Sequence, residues 1–138
     1  MAEFVMKDLV SRNGLSHRFV IGSAATSSEE IGNDVHPGTK DVLSRVGVPF
    51  ESRCARRLRR SDADEWDLII GMDDANIRNI GRMLGSSVAN RTYKMLEFVG
   101  RMDDVADPWY TGDFDLTYND IVDGCVGLLE FCKNGLRF

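Results

Sequence analysis

Asp107 heads the run Asp107-Pro108-Trp109-Tyr110, and an acidic, amphipathic pattern follows it. Asp-Pro commonly opens a turn. A carboxyl group in that setting is also a candidate proton donor, and a catalytic acid implies a nucleophile elsewhere. The chain holds three cysteines and two histidines. His17 and His36 are far apart and have no partners at metal-ligand spacing, so both read as surface residues and no metal is expected. Cys125 and Cys132 are seven residues apart in a helical pattern. That places them about 10 Å apart, too far for a disulfide without unwinding, and core packing is their expected role.

The elements that must hold these groups follow from hydrophobic spacing. Phe4, Val5, Leu9 and Val10 recur at helical spacing and end at Asn13-Gly14. Val42, Leu43 and Val46 line one face of a helix over 39–46, stopped by Gly47. Ile77, Ile80 and Leu84 line another over 73–84, with Asp73 and Asp74 at its positive end. Ile121, Val122, Cys125, Leu128, Leu129 and Cys132 form a third stripe over 114–131. Short apolar runs at 18–22, 67–71 and, more weakly, 93–97 read as buried strands. Alternating helices and strands predict an α/β fold with a parallel sheet covered on both faces, in a single domain over 1–138.

Composition narrows the class. The net charge of −5 argues against nucleic-acid and anionic-membrane partners. No apolar run reaches the roughly 18 residues that span a bilayer. An odd cysteine count disfavours a disulfide framework and makes a reducing cytoplasm the expected compartment.

Six short segments occur in order: Ser23-Ala-Ala-Thr26, Glu30-Ile-Gly-Asn33, Gly47-Val-Pro49, Ala55-Arg56, Met72-Asp-Asp-Ala-Asn76 and Asp107-Pro-Trp-Tyr110. Together they resemble the low-molecular-weight protein tyrosine phosphatases, from residue 1 to about residue 133. The resemblance implies a three-layer α/β domain without a cofactor, acting on a phosphotyrosine protein or a small aryl phosphate. In that family a Cys-x5-Arg-Ser loop supplies a thiolate that attacks phosphorus. The loop precedes the first helix, which Met1-Ala2-Glu3 resembles, so the chain is expected to be N-terminally truncated and to lack the first central strand. As given it is then expected to be inactive.

The resemblance also implies roles. Asp107 matches the acid that protonates the leaving phenolate. Trp109 and Tyr110 match aromatic walls of the substrate cleft, so at least one is expected to be partly exposed. Ser23 matches a hydroxyl that supports the phosphate loop. Asp73 is a plain helix N-cap or a prop for the active site. Glu29 stands where many relatives carry an aromatic side chain, and an acid there repels a phosphate dianion.

Cys54-Ala-Arg-Arg-Leu-Arg-Arg60-Ser61 fits Cys-x5-Arg-Ser literally. It has no Gly and no preceding strand, both usual in a phosphate cradle, and reads as a basic surface segment. Two alternatives stand beside phosphatase chemistry. One is an arsenate reductase-like redox enzyme of the same fold, which would need a reactive cysteine pair. The other is a non-catalytic pseudophosphatase that binds without turnover. Loss of a central strand predicts either closure of 18–22 directly onto 67–71, giving three strands, or a homo-oligomer formed through the exposed sheet edge.

Overall fold

The first helix forms where apolar residues fall on one face. In the computed structural model, which describes residues 1–27, 34–52 and 54–135, α1 runs Ala2–Arg12 and buries Phe4, Val5, Met6 and Val10. Asn13 closes it, its side-chain amide donating to the Leu9 carbonyl at 2.8 Å. Helix α2 (Pro37–Val46) opens with Pro at its first position, and the imidazole Nδ1 of His36 accepts from the Gly38 N–H at 3.0 Å. It ends at Gly47 in the left-handed region, at φ 76. A single turn, α3, spans Asp62–Glu65.

Strand β1 (Ile69–Gly71) leads into α4 (Asp74–Leu84), and β2 (Thr92–Lys94) lies parallel to β1. The register pairs Ile69 with Thr92 and Gly71 with Lys94. Alternation along β1 sends Ile70 toward a core built on α1 and the last helix, and Ile69 toward a second cluster of Ala63, Ile80, Leu84 and Val88. Helices therefore cover both faces of a small parallel sheet, as the sequence pattern predicts.

After a 3-10 turn (Met95–Val99) and the short helix α5 (Pro108–Thr111), α6 (Phe114–Gly135) crosses the domain. Its contact with the 95–99 turn is close because two positions on it are glycine. A Cβ on Gly124 would lie 2.3 Å from Met95 Cγ, and one on Gly127 would lie 2.6 Å from the Phe98 carbonyl oxygen. Cys125 and Cys132 sit on the same buried side, in the larger core.

One expected strand is not formed. No strand spans 18–22 among the described residues, and the sheet has two strands rather than three. Val20 is 86% exposed, so the apolar run there is not covered on both faces. The Trp66 ring lies against Gly22, where a Cβ would meet Cη2 at 2.9 Å. The chain pairs further along instead. Ala25 bridges Arg57 in parallel, with Ala25 N–H donating to the Arg56 carbonyl at 2.7 Å and Leu58 N–H to the Ala25 carbonyl at 2.9 Å. An apolar run proposes a strand, but a ladder partner decides it.

The Cys54 segment is thereby an ordinary structural element. Arg56 holds the buried Asp62 through both terminal guanidinium nitrogens, each at 3.0 Å. Asp62 also accepts from the Arg59 N–H and from the Trp66 indole. These bonds, led by the one from Arg56, hold its carboxyl down at about 2. Cys54 itself is exposed.

Candidate functional site

Parallel α/β sheets bind ligands beyond the carboxyl ends of their strands. Here that edge gathers three loops. The chain leaves β1 through Met72 and Asp73. Asp73 is the N-cap of α4, its Oδ1 accepting from the Asn76 N–H at 2.7 Å. Asn76 folds back, its Oδ1 accepting from the Met72 N–H at 2.9 Å and its amide donating to Thr26 Oγ at 3.4 Å. That contact brings the 23–26 loop to the strand end. Ser23 Oγ then donates to Glu3 Oε1 at 2.7 Å, which ties the same loop to the N-terminus of α1. Glu3 is buried and also accepts from Lys7 at 2.6 Å.

The third loop, 101–107, carries the candidate acid. Val105 N–H donates to the Met72 carbonyl at 2.9 Å. Lys94, at the end of β2, is 6% exposed and donates to Asp104 at 2.8 Å, to Asp74 at 3.0 Å and to the Met102 carbonyl at 2.7 Å. Those carboxylates raise the Lys94 pKa, Asp104 most strongly, so the ammonium stays charged where it is buried. On the opposite flank Asp120 and Thr117 of α6 bind the backbone of Ala106.

Asp107 follows at once. It N-caps α5, its Oδ1 accepting from the Trp109 N–H at 2.9 Å, and it is exposed. Trp109 and Tyr110 are 81% and 85% exposed. The Val105–Met72 bond thus joins the loop that ends in Asp107 to the one that carries Asp73, and Ser23 is bonded to Glu3 of α1. The cap reading of Asp73 is realised. Glu29 lies outside the described residues. Among the described residues no group of three or more His, Cys, Asp and Glu is placed to hold a metal.

The motif reading included Asn76 without giving it a role, and overlooked Lys94, Thr117 and Asp120. The last two did leave a signal. They are polar residues three apart on the helix face that carries Ile121 and Cys125, where a solvated pair is out of place.

The sequence profile of the low molecular weight phosphotyrosine protein phosphatases matches residues 1–136. The chain is 37% identical over 131 residues to the low molecular weight protein-tyrosine-phosphatase YfkJ of Bacillus subtilis, covering 94% of this chain and 84% of that protein. It is 33% identical over 135 residues to PtpA of Staphylococcus haemolyticus, covering 95% and 83%. The crystal structure of YfkJ superposes with a TM-score of 0.93 at 34% identity, covering 99% of this chain and 87% of that one. SP-PTP of Streptococcus pyogenes superposes at 0.85 with 36% identity, covering 98% and 86%. A helix-covered parallel sheet is thus matched by relatives over nearly the whole length of this chain, and the chain belongs to the low molecular weight phosphotyrosine protein phosphatase family.

Proposed function

We propose that these residues form a phosphomonoester hydrolase domain for phosphotyrosine proteins or small aryl phosphates. The observation that carries this reading is the placement of Asp107. Its loop is bonded to the end of β1 through Val105, and the turn it caps exposes two aromatic rings. Trp109 and Tyr110 offer an apolar surface for the ring of an aryl phosphate. Asp107 protonates the departing phenolate and then activates water. Ser23 and Asp73 support the site from the 23–26 loop and the α4 N-terminus.

The covalent step requires a thiolate held with an Arg at a phosphate-binding loop. The loop's Cys and Arg have no counterpart in the motif positions of residues 1–138. Cys54 does not replace them, because the backbone N–H groups of Leu58 and Arg59, inside its Cys-x5-Arg span, already donate to the Ala25 carbonyl and to Asp62. In our reading the family's covalent step is a cysteinyl-phosphate on such a loop, and the 138 residues alone do not turn over. The redox alternative is disfavoured by the burial of Cys125 and Cys132. Free buried thiols support a reducing compartment, the cytoplasm.

The test is turnover of an aryl phosphate by the 138-residue chain and its Cys54→Ser variant. Background rates in both support this reading. Hydrolysis that disappears with Cys54→Ser overturns it and makes Cys54 the nucleophile.

A further inference from the structure

Three of the buried polar side chains among the described residues, Lys94, Thr117 and Asp120, converge on one loop. Two of them hold the backbone of a single residue. Asp120 Oδ2 accepts from the Ala106 N–H at 3.0 Å, and Thr117 Oγ donates to the Ala106 carbonyl at 2.6 Å. Ala106 is the residue before Asp107. Both of its backbone polar groups are thus held by side chains of α6 rather than by the backbone of a neighbouring element.

The holding side chains are themselves fixed. Asp120 Oδ1 accepts from both terminal nitrogens of Arg101 at 3.3 Å, and the same guanidinium binds Asp103. A carboxylate held by a guanidinium makes a charge-assisted bond to the amide. Helix α6 is packed against the 95–99 turn at the glycine contacts described above. On the other side Val105 is buried and bonded to Met72. Asp107, Trp109 and Tyr110 emerge from this base into solvent.

We propose that Thr117 and Asp120 are positioning residues for Asp107: they clamp Ala106 and so set the direction in which the Asp107 carboxylate leaves the loop. This inference rests on Asp107 being the proton donor. A proton donor must stand within hydrogen-bond reach of the departing oxygen, and an exposed turn without support cannot hold that placement. Thr117 and Asp120 act through Ala106 and touch no substrate.

The Trp109 amide reports the clamp, because its N–H donates to Asp107 Oδ1. Its NMR shift should move when Asp107 is titrated with acid in the 138-residue chain. Loss of one ordinary hydrogen bond changes the population of the held state by about fivefold. Thr117→Val and Asp120→Leu should therefore cut the amplitude of this titration shift several-fold, while amide shifts of α1 and α4 stay in place. Asp120→Asn keeps an acceptor oxygen and should restore much of the amplitude. A residue that only stabilised the fold would move the α1 and α4 shifts as well. An unchanged Trp109 titration in both Thr117→Val and Asp120→Leu overturns the proposal, as does a change that Asp120→Asn fails to reverse. Should Asp120→Leu not fold, Thr117→Val alone decides by the same criterion. This signal tests the clamp. The role of Asp107 as an acid is tested separately by leaving-group dependence, so the two can fail independently.

Discussion

The N–H of Val105 donates to the carbonyl of Met72 at 2.9 Å. This one bond ties the loop that ends in Asp107 to the residue that precedes the Asp73 cap. Two acids 34 positions apart in sequence are thereby set on one edge of the sheet. Lys94 reinforces the junction by binding Asp74 and Asp104 from beneath.

Asp62 is the first place to test the energetics. Its carboxyl is held at about 2, against an ordinary 3.8, chiefly by Arg56. A depressed carboxyl stabilises the folded state fully above the unfolded value, and the contribution disappears as pH falls through the folded one. Asp62→Asn should therefore lower stability by about 2 kcal/mol near neutral pH. The gap between parent and variant, read from denaturant melts, should be constant from pH 7 to 5 and narrow between the two values. A gap that widens on acidification refutes this assignment.

The cysteines predict a simple thiol count. Cys54 is exposed, whereas Cys125 and Cys132 are buried and free. Burial pushes the Cys125 thiol up to about 12 and raises that of Cys132 as well. In the native chain one thiol should react with a small alkylating reagent, and all three should react after unfolding. Mild oxidant should leave Cys125 and Cys132 reduced. A peptide linking them by a disulfide in mass spectrometry would revive redox chemistry for this chain.

Val20 predicts self-association. It is 86% exposed within an apolar run that belongs to no described strand. Covering that run against a second copy is favourable. Light scattering across a concentration series should show a species larger than a monomer, and Val20→Asp should shift it toward monomer. A monomer at every concentration, with a sharp and high melting transition, contradicts this.

The sequence made the helices legible because their stripes, caps and stops agree. Gly47 and Asp73 each do what their residue type predicts at a helix end. The strand near 67–71 is found shorter, at Ile69–Gly71, and the one near 93–97 is displaced to Thr92–Lys94, with Met95–Val99 in the 3-10 turn instead. The run at 18–22 misleads because hydrophobicity records a wish for cover and says nothing about pairing. Asp107 and its aromatic turn stand out as a local motif. The clamp on Ala106 does not, since Thr117 and Asp120 reach it only after α6 has docked. The contacts of Gly124 and Gly127 with the 95–99 turn are likewise tertiary and leave only two unremarkable helical glycines in the sequence.

The most direct test of the account is the leaving-group dependence of the Asp107 step. The chain is joined at Met1 to a strand and a Cys-x5-Arg-Ser loop, and rates are measured on aryl phosphates whose phenols span a range of basicity. With Asp107 intact, turnover should depend weakly on the leaving phenol, because the acid neutralises it as it departs. Asp107→Asn should lower turnover of the most basic phenols by roughly 10²–10⁴-fold and spare the most acidic ones, giving a steep dependence. An equal loss across the whole series, or none, would contradict the assignment of Asp107 as the proton donor.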